Sequence, residues 1–223
     1  MRGHTVCKSL DAAGLHQLDA ISRHVRFERH AALVEEGAPF THVFNVVSGL
    51  IKTYKLLSDG RRQITGFLMP GDFLGLAGLD ALPYTAEAVT DVEICRYPRG
   101  QFESVIRSHP EAERQMMDMA HRELAAAQDQ MLLLGRKHAD ERVAWFILDL
   151  ARRAEERGEP HSDRIELPIS RADAADYLGL TVETVSRTFT RLRKQGLFDL
   201  PSPHTVLIRD RESLGELAGG EGG

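Results

Sequence analysis

Between Ser170 and Gly196 the chain reads SRADAADYLGLTVETVSRTFTRLRKQG, and the punctuation of this stretch leaves its backbone few options. Ser170 followed by Asp173 is a capping-box arrangement, so the spacing predicts a short helix from Arg171 to Leu178, stopped by Gly179 in a left-handed conformation. Thr181 then caps a second helix. Within it Val185, Phe189 and Leu192 recur at i, i+4 and i+7 and form a stripe for burial. Glu183, Ser186, Arg187, Thr190, Arg191 and Lys194 fall on the opposite side. Two short helices joined through a glycine-containing turn, the second polar and basic outward, describe a helix-turn-helix.

Charge supports a reading role for the outer face. From Leu180 to Gly196 four cations (Arg187, Arg191, Arg193, Lys194) stand against Glu183, a local balance of +3 in a chain whose net charge is −5. A basic footprint on an acidic protein points to nucleic acid, and a helix-turn-helix sets its second helix into the DNA major groove. The bland alternative is a helical hairpin with a solvated charged face.

Glu183-Thr184-Val185-Ser186-Arg187 resembles the E-x-x-S-R signature of the recognition helix in the CRP/FNR transcription regulators, and DAADYLGLTVETVSR is similar to the FNR and FixK branch of bacterial proteins. The resemblance implies base reading by Val182, Glu183, Ser186 and Arg187 on a palindromic, TTGAT-like operator. Arg pairs with guanine, Glu accepts from a cytosine or adenine amino group, and Val touches a thymine methyl. Arg191, Lys194 and Thr181 are expected on phosphates.

Composition bounds the remaining classes. At 223 residues, with 42% hydrophobic and 27% charged residues, the chain is an ordinary globular protein long enough for two small domains or one large one. Neither an apolar signal core nor a membrane-length apolar run is present, so a cytoplasmic protein without membrane partners is expected. Two cysteines, Cys7 and Cys95, are too few for a tetrathiolate site in one chain, and the ten histidines show no ligand spacing. No metal, no cofactor and no catalytic residues are expected. A cupin-like enzyme, the least favoured reading, lacks the clustered His and Glu ligands it needs.

Before the helix-turn-helix, Leu10 to Val25 reads as one amphipathic helix with Leu15, Leu18, Ile21 and Val25 at helical spacing. Short β-rich runs follow at Ala32–Val34, His42–Val47, Leu50–Leu57, Gln63–Phe67 and Val89–Tyr97, punctuated by Gly37, Gly49, Gly60 and Gly71. Regular short strands with glycine turns imply a small barrel or double-sheet roll, with Ser58-Asp59-Gly60 as its clearest hairpin.

The segment VFNVVSGLIKTYKLLSDGRRQITGFLMPGDFLGL resembles the family's sensory β-roll, which binds cyclic AMP in CRP itself. That pocket needs a carboxylate after the G-x-x-x-G loop and an Arg-Ser pair for the phosphate. Here Leu76 follows Gly71…Gly75, and Tyr84-Thr85 stands in place of Arg-Ser. Each lost hydrogen bond is worth about 1.5–3 kcal/mol, so independence from cyclic nucleotide is expected, with a cyclic-nucleotide-gated regulator as the alternative. FNR proteins carry four cysteine ligands to an iron–sulfur cluster. Cys95 resembles the fourth, but Cys7 alone stands near the N-terminus, so one subunit cannot complete a cluster. Cys95 otherwise reads as a small buried hydrophobe; oxidation of Cys7 or Cys95, or a cluster shared between subunits, is a possible redox or oxygen link.

Phe102–Ile106 is a short helix, and Pro110 opens a long one. Met117, Ala120, Leu124, Ala127, Met131 and Leu134 step by three and four residues, a narrow seam suited to pairing with a second copy, the alternative being a helix merely packed on the β-roll. Gly135 and the charged run from Arg136 to Arg142 place a hinge after the seam. Val143, Phe146, Ile147 and Leu150 form the apolar face of the next helix, Ile165–Ile169 a strand, and Leu197–Leu200 with Thr205–Ile208 a β-wing. The expected fold class is α+β: an N-terminal double-stranded β-roll of cyclic-nucleotide-binding type (1–109), a long central dimerisation helix (110–137) and a C-terminal winged helix-turn-helix (138–223). The expected partners are double-stranded DNA, a second copy in a homodimer and, by resemblance, RNA polymerase.

Overall fold

The computed structural model describes residues 6–75, 80–159 and 163–219. After a 3₁₀ turn at Val6–Ser9 come helix α1 (Ala12–Ile21) and strands β1 (Arg23–Phe27), β2 (Ala32–Val34), β3 (His42–Ser48), β4 (Ile51–Leu56), β5 (Arg62–Leu68), β6 (Phe73–Leu74), β7 (Thr85–Ala88) and β8 (Val92–Pro98). Helices α2 (Arg99–Arg107), α3 (Pro110–Arg136) and α4 (Ala139–Glu156) follow, then β9 (Arg164–Glu166), α5 (Arg171–Leu178), α6 (Val182–Lys194), β10 (Phe198–Ser202), β11 (Thr205–Ile208) and α7 (Arg211–Ala218). The chain divides into two compact units, Met1–Ala127 and Gln128–Gly223. The division falls inside α3, earlier than the junction after Lys137. The first turns of α3 pack on the roll through Ala112, Met116 and Met119, whereas Leu134 near its end approaches Gly179. Gly135 does not interrupt the helix, which continues to Arg136.

In the first unit two four-stranded antiparallel sheets, ordered β1-β8-β3-β6 and β2-β7-β4-β5, form the expected roll. Val43, Phe44 and Val46 from one sheet and Ile51, Ala86 and Ala88 from the other contribute to one buried core. The β4–β5 hairpin turns at Ser58-Asp59-Gly60, with the Leu57 N–H bonded to the Arg61 carbonyl.

Two expectations here need correction. The N-terminal helix ends at Ile21 and not at Val25. Asp11 caps its start by accepting from the Gly14 N–H at 2.8 Å, and the chain is extended from Ser22 onward. Val25 sits opposite Ile94 in the β1–β8 pair, so its branched side chain serves a strand. Leu15 is exposed, while Gly14 and Leu18 face inward, because the His109 ring covers the helix where a Cβ on Gly14 would come within 2.6 Å of its Nε2. The second correction concerns Val89–Tyr97: Val89, Thr90 and Asp91 belong to no strand, β8 begins only at Val92, and the strand before them, β7, was not anticipated. The Thr-Ala-Glu-Ala sequence of β7 has little strand propensity of its own and is held by pairing to both β2 and β4.

In the second unit Val143, Phe146, Ile147 and Leu150 of α4 are buried as their spacing predicts, with Phe146 packed on Tyr177 at a ring separation of 5.5 Å. Burial pushes the Tyr177 phenol up from its ordinary value. The wing is a three-stranded sheet, β10-β11-β9. Of Ile165–Ile169 only the first part pairs as a strand, although Leu167 and Ile169 are buried. Helix α7 was not anticipated. Its cap, Asp210, accepts from both the backbone N–H and the hydroxyl of Ser213.

Candidate nucleic-acid interface

The helix-turn-helix is assembled by its caps. Ser170 Oγ accepts from the Asp173 N–H at 3.0 Å and donates to its carboxylate at 2.7 Å. Gly179, with φ +61°, closes α5, and Thr181 Oγ1 accepts from the Thr184 N–H at 3.1 Å to open α6. These are the boundaries that the sequence specifies.

The inner face of α6 is a packed core strip of Val185, Phe189 and Leu192, joined by Thr188, which the hydrophobic spacing did not reveal. The Phe189 ring meets Phe198 of the wing edge-on at 5.6 Å, and the Arg171 guanidinium lies over the Phe189 ring, 3.9 Å from its centre. Burial lowers the pKa of Arg171 from its ordinary value. Both aromatic contacts hold α6 against α5 and the wing, so that the opposite face projects outward.

That outward face carries Val182, Glu183, Ser186, Arg187, Thr190, Arg191 and Lys194, all exposed. Ser186, Arg187, Thr190, Arg191, Lys194 and Gln195 line a shallow concavity along it. Arg187 and Glu183 form an i,i+4 ion pair at 2.6 Å. Such an exposed pair contributes only about 0.3–0.5 kcal/mol to stability. Its consequence is orientation: a planar donor fork and a carboxylate acceptor are held side by side at the start of the helix.

The guanidinium of Arg191, a residue expected on phosphates, is paired with the Asp140 carboxylate in the first turn of α4. Sequence spacing held no signal for this partner, which is 51 residues away. Lys194 has no ion pair among the described residues.

Elsewhere, the stripe on α3 is largely uncovered. Met117, Leu124 and Met131 are 56%, 60% and 70% exposed. Ala127 is also exposed, while Ala120 and Leu134 are half-buried. Cys95 is buried on β8, its sulfur 3.6 Å from His24 Nε2, whereas the side chain of Cys7 lies outside the described residues. Leu76 also lies outside them. Tyr84 is pushed up to about 12 by burial and then by the Glu123 carboxylate of α3. Among the described residues no group of His, Cys, Asp and Glu side chains is arranged to hold a metal ion, and no helix is long and apolar enough to cross a membrane.

The cyclic nucleotide-binding domain family matches residues 24–109, and the Crp-like helix-turn-helix domain family matches residues 141–217. The transcriptional activatory protein AadR of Rhodopseudomonas palustris is 41% identical over 218 residues, covering 98% of this chain and 90% of that protein. The chain belongs to the CRP/FNR family. Within this family the nitrogen fixation regulation protein FixK of Bradyrhizobium diazoefficiens is 44% identical over 196 residues, covering 88% of this chain and 82% of that protein. The structure of FixK2 from Bradyrhizobium japonicum superposes with a TM-score of 0.82 at 38% identity, over 88% of this chain and 97% of that one. As a FixK-like CRP/FNR protein, the chain is a DNA-binding transcription regulator and not an enzyme.

Proposed function

We propose that the protein acts as a homodimer on a palindromic, TTGAT-like operator, without requiring a cyclic nucleotide. The observation that carries this reading is the exposed Glu183–Arg187 pair at the start of α6, which offers an acceptor and a bidentate donor to one G·C pair. The uncovered stripe of Met117, Leu124 and Met131 supports pairing of two copies through α3. Paired subunits would bring two recognition helices to successive major grooves about 34 Å apart. In this reading residues 1–109 form the sensory roll, 110–137 the dimerisation helix and 138–223 the DNA-binding part. AadR is described as an activatory protein; activation through RNA polymerase in the cytoplasm is the corresponding proposal here. Tyr84 in place of the phosphate-binding arginine supports independence from cyclic nucleotide. Burial of Cys95 within the sheet favours a structural role for it over a redox one.

Selection of bound duplexes from random DNA tests the reading, run with and without cyclic AMP and oxidant. The expected outcome is one two-fold symmetric sequence with a TTGAT-like half-site, recovered equally under all conditions. Recovery of asymmetric or unrelated sequences overturns the operator assignment. Enrichment only with cyclic AMP restores the gated alternative, and loss on oxidation assigns a regulatory role to a cysteine.

A further inference from the structure

Helix ends expose carbonyls that have no partner within the helix and carry the negative end of the helix dipole. In the second unit a single side chain serves two such ends. The Arg142 guanidinium donates to the Leu134 carbonyl at 2.9 Å and, through Nε, to the Lys137 carbonyl at 2.8 Å, closing the end of α3. Its other terminal nitrogen donates to the Leu178 carbonyl at 2.7 Å and the Gly179 carbonyl at 3.3 Å, closing the end of α5. These four carbonyls need donors that diverge within one plane, which a guanidinium supplies and an ammonium does not.

The packing beside this contact is equally close. A Cβ on Gly179 would come within 2.9 Å of Leu134 Cδ2 and 3.3 Å of Arg142 Nη1, so the left-handed turn between α5 and α6 lies directly against the last residue of the α3 stripe. Asp140, two residues before Arg142, pairs with Arg191 on α6. The first turn of α4 therefore grips both helices of the helix-turn-helix.

We infer that Arg142 is a positioning residue that fixes the direction of the recognition helix relative to the end of α3, and so sets the separation of half-sites a dimer accepts. The inference rests on the proposed binding of a dimer to a palindrome. It assigns Arg142 no contact with DNA. Loss of its donors frees the turn at Gly179 from Leu134, and each recognition helix can then tilt to meet half-sites at more than one separation.

The test uses full-length protein and three duplexes: the selected palindrome, and versions with one base pair added or removed between the half-sites. Wild-type protein, Arg142→Met and Arg142→Lys are compared for dimerisation by sedimentation, for cooperative melting by circular dichroism, and for affinity on each duplex. The ratio of affinities between spacings is the readout, because it cancels any uniform loss of binding. Wild-type protein should prefer one spacing by about tenfold or more, whereas Arg142→Met should bind all three within about twofold. Arg142→Lys, keeping the charge without the planar fork, should fall between them. A folded, dimeric Arg142→Met with the wild-type ratio overturns the inference; if that variant fails to fold, a wild-type ratio in Arg142→Lys does so. Wild-type protein that is monomeric or indifferent to spacing refutes the palindrome reading instead, before any variant is compared.

Discussion

Leu124 lies midway along the α3 stripe and is 60% exposed in the single chain, so completing its burial in a dimer is worth about 1–2 kcal/mol. Replacing it with Glu removes that contribution from both subunits, about 2–4 kcal/mol per dimer. The substitution also sets two carboxylates opposite each other at an apolar surface, where taking each ion out of water costs several kcal/mol. At about 1.4 kcal/mol per decade, Leu124→Glu should weaken dimerisation by more than about a thousandfold, and Leu124→Ala, which lacks the charge, by roughly 30- to 700-fold. Sedimentation equilibrium over a range of concentrations measures both. Affinity for the palindrome should fall with the dimer population, while the helical content of the chain stays unchanged. Leu124→Glu protein that remains dimeric at wild-type concentrations would refute the assignment of this stripe as the subunit interface.

Four further outcomes follow from the second unit. Arg187→Ala should cost about 1–3 kcal/mol on the selected palindrome and relax preference at one G·C pair; equal losses on cognate and scrambled duplexes would make Arg187 a backbone contact. Asp140→Asn releases Arg191 from its exposed partner and should raise affinity for all sequences by up to about fivefold at low salt, whereas a uniform loss in the same titrations would mean that Asp140 holds Arg191 in its binding position. Phe189→Ala deletes the ring that touches both Arg171 and Phe198 and should destabilise the second unit by about 3–5 kcal/mol in chemical denaturation; a change below about 1 kcal/mol contradicts the packing described. The Ser213 N–H and hydroxyl hold the Asp210 carboxyl below its ordinary pKa. A depressed folded-state value stabilises above the unfolded pKa and is lost as pH falls through the folded one, so the difference in melting temperature between wild type and Asp210→Ala should be constant near neutrality and vanish in acid.

The features readable from sequence share a short range. The starts and stops of α5 and α6 depend on Ser170, Gly179 and Thr181, residues that act on backbone groups within three or four positions. Pro110 and the three-four spacing along α3 have the same local logic, as does the Asp-Gly turn between β4 and β5. Helical periodicity alone grouped Glu183, Ser186 and Arg187 on one outward face, and their likeness to the E-x-x-S-R signature came from resemblance to the family. Strand β7 and helix α7 were not legible, because weak propensity left the first to its neighbours and a local cap marked the second without an apolar run to draw attention to it. Helix α1 ended early because pairing of Val25 with a strand far along the chain overrode its helical spacing.

The mechanical part of the site was decided only by tertiary structure. Glu183 and Arg187 meet because they are one helical turn apart, which spacing reveals. Asp140 reaches Arg191 across 51 residues, and Arg142 reaches the carbonyl of Leu178 across 36. In sequence both belong to a charged run with the look of a solvated hinge. A side chain's charge and reach are local properties, whereas the carbonyls and cations it meets are brought to it by the packing of α4 beneath α5 and α6. The residues proposed to face the bases were therefore visible in the chain, and those proposed to aim them became visible only once it was folded.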